Sequence, residues 1–272
     1  MTHDFDQVDV FSAEPFGGNP LAVVHAADDL DDPTMAAFAR WTNLSETTFL
    51  LTPTDAAADY RVRIFTTGGE LPFAGHPTLG SCRAWLERGG VPRGAEVVQQ
   101  CAAGLIRIRR VGDLLAFEAP PLVRSGPVDA AEASAVLAGL RLGGAVDMAW
   151  IDNGPGWIGV RLESAEQVLA VQPDPVRLRH NVALIGPWGG RGPAEVEVRC
   201  FVSEAGIVED PVTGSANAGL AMWLTASGAL PARYVAAQGT VIGRAGRVFV
   251  ERVGDTIWVG GHARSLIRGM WG

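Results

Sequence analysis

The chain contains no lysine; all 22 of its basic residues are arginine. A Schiff base to pyridoxal phosphate or to a carbonyl substrate therefore has no lysine amine to form on. A phosphate loop that depends on lysine is excluded for the same reason. Cysteine is scarce as well. Cys82, Cys101 and Cys200 show neither C-x-x-C nor ligand spacing, so no disulfide framework is expected. No His, Cys, Asp and Glu cluster has metal spacing, so no metal site is expected. Charged residues make up 19% of the chain and the net charge is −8. Because the arginines are scattered rather than gathered in a stripe, a nucleic-acid partner is not expected. No run of 18 apolar residues exists, which argues against a membrane span. The segment Met1-Thr-His-Asp-Phe-Asp6 lacks a basic region followed by an apolar stretch, so a cytoplasmic protein is the expectation. Gly189-Gly-Arg-Gly192 follows no clear strand and opens no helix, so it does not read as a nucleotide loop.

What is present is a repeat. Glu70-Leu-Pro72-Phe-Ala-Gly75-His76-Pro77-Thr-Leu-Gly80 is echoed by Glu209-Asp210-Pro211-Val-Thr-Gly214-Ser215-Ala-Asn-Ala-Gly219. Glu, Pro and two Gly coincide at an offset of 139 residues, close to half of the 272. An Arg-x-Phe strand core precedes each copy, Arg63-Ile-Phe65 and Arg199-Cys-Phe201. An apolar, helix-like stretch follows each. The repeat points to two similar halves facing one another with one site between them. At 47% hydrophobic residues, a large core is available to both.

Alternating and apolar runs predict strands in the first half at about 6–12, 21–24, 47–51, 60–65, 95–101, 104–110 and 114–118. Helices are predicted at about 34–42 and 77–88, the second with Pro77 in its first turn and Gly89-Gly90 past its end. Ala119-Pro-Pro121 reads as the hinge. In the second half, helices are predicted near 129–139, 164–170 and 216–227, with Ser215 as N-cap and Gly228 as stop. Strands are predicted near 146–151, 156–162, 195–202, 240–243, 246–253 and 255–260. Both repeat helices are small and apolar all round, which marks them as buried. The expected fold is therefore α+β: two pseudo-symmetric domains, residues 1–118 and 119–272, each a barrel-like curved sheet wrapped around one central helix. The last residues are free to cross back to the first half.

The two helix starts carry the chemistry. Orphan N–H groups and the macrodipole suit them to a carboxylate or phosphate, and Gly75 and Gly214 let a ligand approach the backbone closely. The plain alternative is two tight turns entering buried helices. His76 could donate to a substrate oxygen or shuttle a proton, or simply cap and pack. Asp210 could orient His76 or bind a substrate amine, or could accept hydrogen bonds within its own turn. Ser215 is not in a Gly-x-Ser-x-Gly elbow and reads as a cap whose hydroxyl also contacts ligand. Glu46 stands at the mouth of an apolar strand in Leu44-Ser-Glu-Thr-Thr-Phe49. Burial there would raise its proton affinity and suit it to acid–base work; the alternative is an exposed carboxylate before an edge strand.

At these residues the chain resembles the PhzF-like family, named for phenazine biosynthesis, over nearly its full length. The resemblance rests on Val8-Asp-Val-Phe11, Phe16-Gly-Gly-Asn-Pro-Leu-Ala-Val-Val24, Leu44-Ser-Glu-Thr-Thr-Phe49, Arg63-Ile-Phe65 and both copies of the repeat. It implies the diaminopimelate-epimerase-like fold, a homodimer, and cofactor-free isomerisation of trans-2,3-dihydro-3-hydroxyanthranilate or a similar small carboxylate. It also implies that Glu46 moves the proton. His76, Asp210 and Ser215 match the polar residues around the substrate, Gly75 and Gly214 the anion-binding loops, and Asn19 a residue at the cleft edge. The fold's two-cysteine racemases and epimerases would carry their thiols near Ala74 and Thr213. Neither position is cysteine here, which favours Glu46. A racemase, epimerase or lyase using Glu46 with another group, and a non-catalytic small-anion-binding protein, are the alternative readings.

Overall fold

The computed structural model describes residues 2–203 and 208–272. The chain divides into two compact units, residues 1–118 with 260–272, and residues 119–259. Among the described residues, no helix is long and apolar enough to cross a membrane.

The first unit runs β1 (His3–Val10), β2 (Asn19–Val24), α1 (Asp32–Thr42), β3 (Glu46–Leu51), β4 (Tyr60–Phe65), β5 (Glu70–Leu71), α2 (Gly75–Glu87), β6 (Val97–Cys101), β7 (Gly104–Val111) and β8 (Leu114–Glu118). β1 and β2 pair antiparallel, β2 and β3 parallel, β3 and β4 antiparallel. β4 then pairs with β5 antiparallel and with β6 parallel. β6, β7 and β8 form an antiparallel meander.

The second unit runs β9 (Arg124–Pro127), α3 (Ala130–Leu140), β10 (Asp147–Asp152), β11 (Trp157–Arg161), α4 (Ala165–Ala170), β12 (Asn181–Pro187), β13 (Val196–Val202), β14 (Val208–Asp210), α5 (Gly214–Ala226), β15 (Arg233–Gln238), β16 (Gly246–Val253) and β17 (Thr256–Gly261). β10 and β11 pair antiparallel, β11 and β12 parallel, β12 and β13 antiparallel. β13 pairs with β14 antiparallel and with β15 parallel, and β15 with β16 antiparallel. This succession is the one seen from β1 to β7. The last strand, β18 (Ala263–Trp271), pairs antiparallel with β1.

Each unit folds around its repeat helix. α2 packs against β1, β2, β3, β8 and β18, and α5 against β10, β11, β12 and β16. Every residue of α2 from Gly75 to Cys82 is buried, as is every residue of α5 from Gly214 to Ala221. The second glycine of each repeat copy explains how the helices come so close. A Cβ on Gly80 would strike the Leu21 and Val10 side chains, and one on Gly219 would overlap the Ile151 carbonyl oxygen. The peripheral helices close separate clusters, α1 over Val24, Phe49 and Phe65, and α3 and α4 over Ile158, Val182 and Leu184.

The expectation from sequence differs from the structure at several points. The stretch 240–243 is not a strand. Thr240–Ile242 is a single 3₁₀ turn held between Gly239 and Gly243 at φ 89° and 73°, a left-handed backbone that ends strand pairing. Ser215 is not an N-cap. Thr213 occupies that position, and α5 begins at Gly214. The sequence reading also does not anticipate strands β5, β9, β12, β14, β15 and β18.

Candidate functional site

In the first unit, three of the expected site residues meet. Glu46 opens β3, paired with Leu21 of the parallel strand β2. His76 is the second residue of α2. Glu46 Oε2 lies 3.2 Å from His76 Nδ1, and Asn19 Nδ2 lies 3.5 Å from the same nitrogen. Asn19 is fully buried and begins β2 opposite Val10. Its place is fixed by the preceding turn, where both carboxylate oxygens of buried Asp9 accept the Gly18 N–H at 3.1 and 3.2 Å. Gly18 is required there because a Cβ would overlap the Val10 carbonyl.

His76 is 3% exposed, whereas the Glu46 side chain retains 16%. Burial pushes the His76 imidazole down to about 3, so the ring is neutral at physiological pH. A neutral ring with one nitrogen facing a carboxyl group can share a single proton with it, while the carboxyl keeps an opening to solvent. That is the equipment for a group that takes up and returns a proton.

In the second unit, Asp210, Gly214 and Ser215 are gathered in one turn. Thr213 Oγ1 donates to Asp210 Oδ2 at 2.6 Å, and Gln238 Nε2 donates to the Asp210 carbonyl at 3.1 Å. The reading in which Asp210 accepts a hydrogen bond within its own turn thus describes one of its contacts. Ser215 Oγ accepts from Trp157 Nε1 at 3.0 Å, and its carbonyl accepts from Asn153 Nδ2 at 2.9 Å.

The helix starts share a trait that the peripheral helices lack. The side chains of Asp31, Asp129 and Ser164 cap α1, α3 and α4. The N-cap residues of α2 and α5, Ala74 and Thr213, give no side-chain hydrogen bond to the first turn. Helix-start N–H groups left without a cap favour an anion. The three cysteines present are all buried. Burial pushes the Cys82 thiol up to about 12 and the Cys200 thiol further, so neither is a ready thiolate.

Sequence reasoning missed Asn153, Trp157, Thr213 and two buried glutamines. Gln99 Nε2 donates to Thr78 Oγ1 at 2.9 Å, and Gln238 Oε1 accepts from Asn217 Nδ2 at 2.9 Å. Gln99 and Gln238 are themselves 139 residues apart, as are Thr78 and Asn217. The offset, applied beyond the motif, would have found them. Each unit also holds an arginine fork, built from the Arg-x-Phe strand core and the first glutamate of the repeat. Arg63 Nε and Nη2 bind the two oxygens of Glu70 at 2.7 and 2.6 Å. Arg199 binds Glu209 through the same atoms at 3.0 and 2.8 Å.

The family model for PhzC-PhzF, described as phenazine biosynthesis-like protein, matches residues 8–269. The chain belongs to this family. It is 35% identical to antisense-enhancing sequence 1 of Schizosaccharomyces pombe, over 98% of both chains. It is 34% identical to the trans-2,3-dihydro-3-hydroxyanthranilate isomerase of Pseudomonas aeruginosa, over 93% of this chain and 91% of that one. A solved PhzF-family structure from Enterococcus faecalis superposes with a TM-score of 0.82 at 24% identity, each chain covered in full. For this PhzC-PhzF member, the last likeness speaks to fold alone, and the relative named an isomerase supports an isomerase.

Proposed function

We propose that this PhzC-PhzF member is a cofactor-independent isomerase that moves a proton on a small carboxylate resembling dihydro-hydroxyanthranilate. The observation that carries the reading is the Glu46–His76 pair, Oε2 to Nδ1 at 3.2 Å, beside the start of a buried helix whose N-cap offers no side-chain acceptor. Glu46 takes a proton from one carbon, and the electron pair moves through the conjugated system. The same carboxyl group returns the proton at another carbon, so the mass of the substrate is unchanged. Neutral His76 steadies the carboxyl group between its two protonation states. Asp210 is the third proton-handling group of the proposal. Asn19, Gly75, Gly214 and Ser215 bind substrate oxygens. The recurrence of strand pairing, arginine forks and buried glutamines supports an internal duplication as the origin of the two units.

The test is turnover of trans-2,3-dihydro-3-hydroxyanthranilate by dialysed protein with a chelator present, followed by absorbance and by mass. An isomer of unchanged mass is expected, at a rate indifferent to the chelator. No turnover of this compound, with solvent deuterium entering the α-carbon of an amino acid instead, would point to a racemase.

A further inference from the structure

Each unit aims an N–H from the first residue of a strand, β2 in one and β11 in the other, at the second residue of its inner helix. In the first unit the pair is Asn19 and His76; in the second it is Trp157 and Ser215. The second pair has a defined polarity. An indole N–H donates and never accepts, and a hydroxyl carries one proton and two acceptor lone pairs, so the 3.0 Å contact from Trp157 Nε1 fills one lone pair of Ser215 Oγ and leaves the proton for another partner. Both side chains are buried, Trp157 at 2% and Ser215 at 7% exposure. Asn153 holds the Ser215 carbonyl, which fixes the backbone beneath the hydroxyl. Among the described residues, nothing accepts the Ser215 proton.

We propose that Trp157 is a positioning residue that commits the Ser215 hydroxyl to donation. The group at the start of α5 that takes this proton is then an oxygen acceptor, such as a carboxylate, in preference to an ammonium group, which has no lone pair to receive it. Had an acceptor stood at position 157, the hydroxyl could have turned to accept instead. The inference rests on the proposed role of Ser215 as a substrate-binding residue and adds what sets its polarity.

Four proteins test it: Trp157→Phe, Ser215→Ala, the double variant, and a protein with benzothienylalanine at position 157. The last replaces the indole N–H by sulfur and keeps the ring's shape, so it separates hydrogen bonding from packing. Loss of one neutral hydrogen bond corresponds to about a three- to ten-fold change. We expect Trp157→Phe and the benzothienylalanine protein each to raise KM by about that factor, and Ser215→Ala, which loses a bond to a charged oxygen, by about ten-fold or more, with kcat within about two-fold in all three. The double variant should be no worse than Ser215→Ala, because Trp157 acts through Ser215. The benzothienylalanine protein should melt with the parent. Multiplying effects in the double variant, or an unchanged KM with benzothienylalanine, would overturn the proposal. If the parent protein does not turn over trans-2,3-dihydro-3-hydroxyanthranilate, the proposed function fails by itself. The Trp157 indole N–H proton resonance then decides the coupling: it should move upfield in Ser215→Ala, and an unmoved resonance refutes it.

Discussion

Replacing Glu209 by glutamine should cost this protein far more than the same change at Glu70, although the two residues make the same fork. Arg199 is 3% exposed and Glu209 is 10% exposed. Beyond the fork, Arg199 Nη1 donates to the carbonyls of Val168, Leu169 and Val171 at 3.1, 3.2 and 2.7 Å, tying down the C-terminal end of α4. Glu209→Gln keeps the shape and removes the counter-charge, leaving a buried guanidinium uncompensated, at a cost of about 3–5 kcal/mol. Arg63 retains 22% exposure and Glu70 37%. Arg63 also keeps a second carboxylate, Asp32 Oδ1, at 2.6 Å. Solvent and Asp32 together should limit Glu70→Gln to about 0–1 kcal/mol. Urea unfolding followed by tryptophan emission reads both. In a thermal melt, the larger loss corresponds to about 10 °C for a domain of this size. The functional link is local, since Glu209 adjoins Asp210 on β14. A Glu209→Gln protein as stable as Glu70→Gln would refute the argument that burial separates the two forks.

Two further outcomes follow from the inner helices. Gly219→Ala should destabilise by about 1–3 kcal/mol, because the new methyl meets a backbone carbonyl that cannot step aside. Gly80→Ala, which meets only side-chain carbons of Leu21 and Val10, should cost less; equal melting losses would contradict this. His76, held at about 3 against about 6.5 for the free ring, contributes fully to stability above pH 6.5. That contribution is lost as the pH falls toward 3, because the unfolded ring binds the proton first. His76→Asn should therefore flatten unfolding free energy against pH between about 6.5 and 4, by about 1.4 kcal/mol per unit. An unchanged slope in urea titrations across that range would mean that the ring is not held neutral.

Much of the fold could be read from residues, and the reasons for the rest are specific. α2 and α5 were legible as buried because neither has a polar face. Their starts lie at Gly75 and Gly214, which puts His76 and Ser215 inside the first turn rather than before it. The sequence offers no capping side chain at Ala74, so pattern alone cannot fix that boundary. Gly239 and Gly243 turned an apparent strand into a 3₁₀ turn. β18 carries arginines that interrupt alternation, and it gains its order by pairing with β1, a long-range partner no local pattern announces. In the candidate site, Glu46, His76 and Asn19 could be named from motifs. Asn153 and Trp157 could not, because their role exists only where the β10–β11 connection meets α5.

The central claim is that Glu46 moves the proton. Its most direct test is kcat for trans-2,3-dihydro-3-hydroxyanthranilate in the Glu46→Gln protein, which preserves shape and removes the titrating group. The account predicts a fall of about 10²–10⁴-fold with KM little changed. A kcat within a few-fold of the parent would contradict it.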